Sequence, residues 1–208
     1  MERRQRVSEA TRSALVDVAE RLFSELGYSA TSLDAIVAGA DVTKGALYHH
    51  FSGKQAIFEA AFERVESRAA AGIATAMDGH QDPWKRAQAG LGAFLGAVQE
   101  PAYRRIVVSD GPSVLGHERY REQEERSTYK VVDEIVRSVL TTGDRVTDDD
   151  MLDTFTRIFF GAMSAAGGSV AVDDDPAAAA ARAESAIGFI MAGLQRQLQD
   201  GGGVPDAG

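Results

Sequence analysis

The stretch Thr43-Lys44-Gly45-Ala46-Leu47-Tyr48-His49-His50-Phe51, with Lys54 just beyond it, holds the side chains best suited to chemistry in this chain of 208 residues. Wound as a short helix, it sets Lys44 and Tyr48 one turn apart with His49 beside them, and turns Leu47 and Phe51, four apart, inward. An ammonium, a phenol and an imidazole on one surface can hydrogen-bond phosphate oxygens and the edges of bases. Thr43 is placed to cap this helix, and Gly45 adds no side chain, so the backbone there can approach a partner closely. Lys54 opens the next helix, where its charge adds to the positive end of the dipole; the arrangement becomes favourable when an anion arrives at the same place. Thr31 and Ser32, at the start of the preceding short helix, offer hydroxyls as an anchor on the other side of a duplex groove.

Other chemistries find little support. The chain has no cysteine, which removes thiolate nucleophiles, disulfides and Cys-based metal sites together. His49 and His50 are adjacent, hence about 100° apart on a helix, a poor pair for chelating one metal ion. Asp148-Asp149-Asp150 and Asp173-Asp174-Asp175 each precede a helix, where carboxylates offset the dipole, so capping is a better reading than calcium or magnesium. Ser127 and Lys130 match a serine–lysine spacing without any companion motif, and Gly90, Gly92 and Gly96 follow no strand. No catalytic residue, metal or cofactor is assigned, and the chain is not read as an enzyme.

The elements that position these groups read as helices. Leu15, Val18, Ala19, Leu22, Phe23 and Leu26 recur at helical intervals over residues 8–26, and Gly27 stops the run. A short helix through Leu33, Ile36 and Val37 follows, then the break Gly39-Ala40-Asp41-Val42, then the helix from Lys44 to Phe51, and a longer one from Lys54 to about Met77. Pro83-Trp84 and Pro101 open two more, the second closed by Asp110-Gly111-Pro112. A long helix is expected over about residues 118–140, another after a capping box of Thr147 and Asp150, and a last one opened by Asp175-Pro176. No alternating run supports a strand, so the fold class is all-α. No apolar run reaches about 18 residues and none follows the basic start Met1 to Arg6, so no membrane span or signal peptide is expected, which suits the cytoplasm.

Charge divides the chain. Residues 1–54 hold seven basic and seven acidic side chains, leaving 15 of the 22 basic and 24 of the 31 acidic groups, and the whole net charge of −9, to the remainder. A neutral amino-terminal part with a basic tip beside an acidic larger part suggests modules with different partners.

Two short helices joined by four residues between two longer ones have the dimensions of a helix-turn-helix. Gly27-Tyr28, Thr31-Ser32, Ala35-Ile36, Ala38-Gly39 and Thr43 to Phe51 with Lys54 resemble the TetR family of bacterial repressors, closely over residues 8–62 and beyond that in helical layout alone. The resemblance implies a homodimer with a three-helix DNA-binding domain and a helical domain that binds a small molecule and dimerises through its last two helices. The expected boundaries are 1–53 for the DNA-binding domain, 54–199 for the effector-binding and dimerisation domain, and 200–208 for a flexible tail. One departure is Asp41, whose carboxylate disfavours a phosphate contact from the turn.

In the larger domain Phe94, Tyr103, Ile106, Tyr129, Phe155, Phe159 and Met163 are the candidates to line an effector pocket, although such residues serve a core first. Ile158-Phe159-Phe160 covers most of a helix's circumference, so one face needs a partner. Phe160, Gly161 and Ala165, with Gly188 and Ala192 on the last helix, are expected where a second copy packs closely. The resulting expectation is a repressor that binds a palindromic operator in double-stranded DNA as a dimer and leaves it when a small effector binds. The rivals are an enzyme acting through the helical domain and a scaffold binding only proteins through its acidic surface.

Overall fold

A computed structural model describes residues 2–141 and 148–200, with side chains from Arg6 onward. The helices are α1 (Glu2–Ala30), α2 (Leu33–Gly39), α3 (Lys44–His50), α4 (Lys54–Asp78), α5 (Pro83–Gln99), a π-helix (Tyr103–Asp110), α6 (Gly111–Leu115), α7 (His117–Arg126), α8 (Thr128–Leu140), α9 (Asp149–Val172) and α10 (Pro176–Gln199). Among the described residues there is no strand. The chain forms two compact units, Met1–Ser67 with Glu100–Gln123, and Arg68–Gln99 with Glu124–Gly208. The first unit thus extends past residue 53 and takes up a later segment as well.

In the first unit, Leu15, Ala19 and Phe23 of α1, Ile36 of α2, Leu47 of α3 and Ile57, Phe58, Ala61 and Phe62 of α4 are fully buried. Phe58 meets Phe23 edge-on at 5.1 Å and Tyr28 at 5.2 Å between ring centroids, a favoured aromatic geometry. Arg64 of α4 pairs with Asp17 and, at 2.9 Å, with Glu20 of α1. A Cβ on Gly39 would lie 2.6 Å from a Val18 methyl, so this glycine lets α2 close on α1.

The stop at Gly27 is visible as a left-handed residue (φ 80, ψ 169) inside α1. A positive φ there disfavours any side chain, and a Cβ would also meet the movable guanidinium end of Arg105. The N–H of Tyr28 donates to Asp110 Oδ2 at 2.8 Å, and Arg105 Nε lies 3.4 Å from the same carboxylate. The π-helical winding makes this clasp: i→i+5 bonding brings residues five apart to one side, which an α-helix does not.

Three helix boundaries differ from the pattern reading. At Asp110-Gly111-Pro112 the π-helix ends, as the pattern suggests, but the chain does not leave the helical region: Gly111 is helical (φ −48, ψ −56), Pro112 occupies the first turn of α6 where its missing N–H costs nothing, and the break comes at Gly116 (φ 79). The segment 118–140 is two helices divided at Ser127 (φ −119, ψ −92). Asp148 caps α9, accepting from the Asp150 N–H at 2.9 Å; Thr147 and the expected tail at 201–208 lie outside the described residues.

The second unit packs α5, α8, α9 and α10 with the end of α4. Leu91, Phe94, Leu95 and Val98 of α5 and Val132, Val136, Val139 and Leu140 of α8 are buried. Arg137 ties α8 to α9, reaching Asp133 at 3.0 Å and both Asp149 and Asp153 at 2.9 Å. By length and composition α9 and α10 are each apolar enough to cross a membrane, a feature the run-length argument did not register because charged residues interrupt them. Only 17% of the most apolar part of each is buried within the chain, and Ile158, Val172, Phe189 and Ile190 stand exposed.

Candidate nucleic-acid interface

The two short helices are built by their caps. Ser32 Oγ accepts from the Ala35 N–H and Thr43 Oγ1 from the Ala46 N–H, each at 3.1 Å; a cap of this kind contributes about 1 kcal/mol. The turn between them is closed by Ala40 N–H to Ile36 O at 3.0 Å and Val42 N–H to Val37 O at 3.2 Å. Asp41 takes a positive φ of 52 there, a conformation Asp tolerates better than most residues.

Burial divides α3 into two rows. Leu47 is fully buried and Phe51, its C-cap, nearly so, while Lys44, Gly45 and His49 face solvent and Tyr48 is 59% exposed. At the position of a Gly45 Cβ the nearest atom is Thr43 Oγ1 at 3.8 Å, so internal packing would accept a side chain. Lys44 Nζ lies 2.7 Å from Asp34 Oδ1 of α2, and this carboxylate, by hydrogen bond and by charge, raises the lysine pKa. Lys54 Nζ sits 4.3 Å above the Tyr28 ring and 3.4 Å from the Ser29 carbonyl, so its ammonium is placed by neutral groups. The Arg12 guanidinium rests 5.2 Å from the Phe51 ring. His49 and His50 meet ring to ring at 5.1 Å, and His50, through burial and then the neighbouring His49 and Arg12 charges, has its pKa lowered.

One expected contact is corrected. Thr31 is 2% exposed, and its hydroxyl donates to Gly27 O at 2.8 Å and Leu22 O at 3.2 Å. It closes the end of α1 from inside, and the exposed hydroxyl at this corner is that of Ser32. The sequence reading missed Asp34, Arg12 and Tyr28, which reach the site through tertiary packing; no local spacing marks them.

The expected pocket residues scatter. Phe159 and Met163 do line an apolar cavity of about 70 Å³ in the second unit, along with Trp84, Leu91, Val136 and Met191. Tyr103 and Ile106 belong instead to the first unit, where Tyr103 donates to Glu66 Oε1 at 2.8 Å and Ile106 is core. Phe94 is buried against Gly167, Tyr129 meets Phe160 edge-on at 5.3 Å, and Phe155 stacks on Phe159. The residues expected at a subunit interface are Phe160 and Gly188, partly covered, and Gly161, Ala165 and Ala192, exposed. Phe189 was not among them, although Phe189-Ile190-Met191 repeats the signal of Ile158-Phe159-Phe160.

Comparison with known proteins agrees with this geometry. The family model for bacterial regulatory proteins of the tetR family matches residues 15–61, and that for the tetracyclin repressor-like C-terminal domain matches residues 84–194. The HTH-type transcriptional regulator AcrR of Shigella flexneri is 47% identical over 60 residues, which are 29% of this chain and 28% of that protein. The HTH-type transcriptional activator FasR of Mycolicibacterium smegmatis is 31% identical over 101 residues, 48% of this chain and 46% of that one. The matched segments thus span less than half of these relatives. The crystal structure of a TetR-family transcriptional regulator from Pectobacterium atrosepticum superposes with a TM-score of 0.73 at 28% identity, covering 90% of this chain and 95% of that one. RolR in complex with resorcinol superposes at 0.67 with 20% identity, covering 92% and 94%. With both halves of the chain matched and the helix-turn-helix presenting its polar row outward, the protein belongs to the TetR family of DNA-binding transcriptional regulators.

Proposed function

We infer that the chain is a cytoplasmic homodimeric repressor that binds a palindromic operator through α3 and leaves it when an uncharged, largely apolar effector enters the second unit. The observation that carries this reading is the two-sided α3, with Leu47 and Phe51 buried and Lys44, Tyr48 and His49 outward. Ser32, Thr43, Gly45 and Lys54 complete the contact surface; Thr31 supports it from inside. A second copy covering α9 and α10 would bury Ile158, Phe189 and Ile190, and two-fold symmetry would set two recognition helices about 34 Å apart, one turn of duplex.

The effector's class follows from the cavity. Trp84 and Thr128 bring the polar groups among its lining residues, and no ionisable side chain is there, so a charged ligand would forfeit its hydration without a partner. At about 70 Å³ the space is smaller than the ~150 Å³ that holds benzene. An occupant must therefore displace adaptable side chains such as Met163 and Met191, and binding favours an expanded state over the resting one. That difference in affinity is what shifts a population of DNA-binding conformers.

Fluorescence anisotropy tests the reading, with a duplex selected from a randomised pool by the wild-type protein. Lys44→Ala and Tyr48→Phe each weaken binding, and a panel of neutral hydrophobic compounds releases the duplex where their carboxylate counterparts do not. Undiminished affinity in both variants rejects α3 as the reader, and release by the charged panel alone rejects the effector class.

A further inference from the structure

The DNA-facing segment is electrically unusual for its task. Across residues 31–54 two lysines, Lys44 and Lys54, are matched by two aspartates, Asp34 and Asp41, so the formal charge is zero with the histidines neutral. The lysines are held differently: Lys54 lies against a carbonyl and an aromatic ring, which leave its charge to act outward, whereas Lys44 lies 2.7 Å from the Asp34 carboxylate.

This pair does little for the fold. The two side chains are 64% and 69% exposed, a setting in which ion pairs contribute almost nothing to stability, and α2 and α3 are already capped by Ser32 and Thr43. Its effect falls on a third body. A phosphate approaching α3 must draw Lys44 from its carboxylate, and it then meets the uncovered negative charge of Asp34. Both terms oppose a phosphate contact at any sequence. They are avoided where an acceptor-rich base edge, the O6 and N7 of guanine, comes within reach of the ammonium's remaining N–H donors, because a neutral edge adds to the carboxylate as a partner and does not have to displace it. Discrimination is a difference between affinities, and a penalty on the wrong partner increases it as surely as a bond to the right one.

We propose that Asp34 is a specificity determinant of operator binding, withholding the Lys44 ammonium from phosphates while leaving its remaining donors free for a guanine edge. The proposal rests on α3 being the DNA reader. Asp34→Asn should tighten binding to mixed-sequence duplex about three- to tenfold while changing affinity for the pool-selected operator less than twofold, so the specificity ratio falls. On mixed-sequence DNA the slope of log K against log salt should steepen by about 0.9 for each recognition helix engaged, as one more phosphate is neutralised. Asp34→Glu, which keeps the carboxylate, should retain the wild-type ratio, and thermal unfolding of each variant verifies the fold.

The experiment pairs these variants with Lys44→Ala and with the double variant. If the gain from Asp34→Asn vanishes when Lys44 is alanine, and Lys44→Ala relaxes preference at one G·C pair of the operator, the proposal stands. An unchanged ratio and salt slope in Asp34→Asn, or a gain that persists undiminished without Lys44, overturns it while leaving α3 as the reader. Equal operator binding by wild type and Lys44→Ala removes Lys44 from the interface, and this proposal falls with it.

Discussion

Replacing Thr31 by valine separates a scaffold residue from a contact residue at the edge of the interface. The side chain is 2% exposed, its hydroxyl donates to two carbonyls, and the nearer, Gly27 O, is 2.8 Å away. Valine keeps the shape and deletes the donor, so the loss is that of a buried hydrogen bond with an acceptor left behind, about 1–3 kcal/mol. For a chain of this length that lowers the melting temperature by about 2–4 °C per kcal/mol. Because the hydroxyl points away from the surface that bears Ser32 and Lys44, operator affinity measured well below the transition should change less than twofold and the salt slope not at all. Calorimetry together with anisotropy titration over a range of salt reads both quantities. A melting temperature within a degree of wild type combined with a clear loss of affinity would place the hydroxyl on DNA and refute the inward assignment.

Gly27→Ala should destabilise by about 1–3 kcal/mol, since it combines a positive φ with a side chain driven into Arg105; Arg105→Ala should restore only part of this in chemical denaturation, because the backbone strain remains. Phe189→Glu on the exposed face of α10 should yield monomers in analytical ultracentrifugation and lose operator binding by at least tenfold, and a stable dimer in this variant would refute the pairing surface. The lowered pKa of His50 means that the unfolded chain takes up the proton first as pH falls through about 6.5. Stability present above that pH should therefore decline below it, and His50→Gln should flatten the dependence in melts between pH 7.5 and 5.5.

The fold class and the two-sided burial of α3 were legible because both rest on short-range patterns. Leu15, Ala19, Phe23, Leu47 and Phe51 fall on helical intervals and are buried, and Ser32 and Thr43 hold the capping positions their chemistry suggests. What stayed hidden depends on contacts between segments distant in sequence. Thr31 reads like Ser32 until α1's end closes over it. Tyr103 reads like any pocket aromatic until its hydroxyl meets Glu66. Asp110-Gly111-Pro112 has the composition of a stop, yet the bulk of Phe62 beside Gly111, 2.8 Å from where a Cβ would be, marks a place where a helix passes closely.

The wide winding of Tyr103–Asp110 also sets what kind of change this part of the chain can absorb. Arg105 and Asp110 reach Gly27 and Tyr28 together because a π-turn holds one residue more than an α-turn. Excising a single residue between them would rewind the segment as an α-helix with the two side chains four apart and still on one side, so their pairing survives a change of length. The clasp on Gly27 and Tyr28 depends instead on the guanidinium and the carboxylate themselves. Among descendants of this sequence, a lost residue between them is therefore more tolerable than a lost charge.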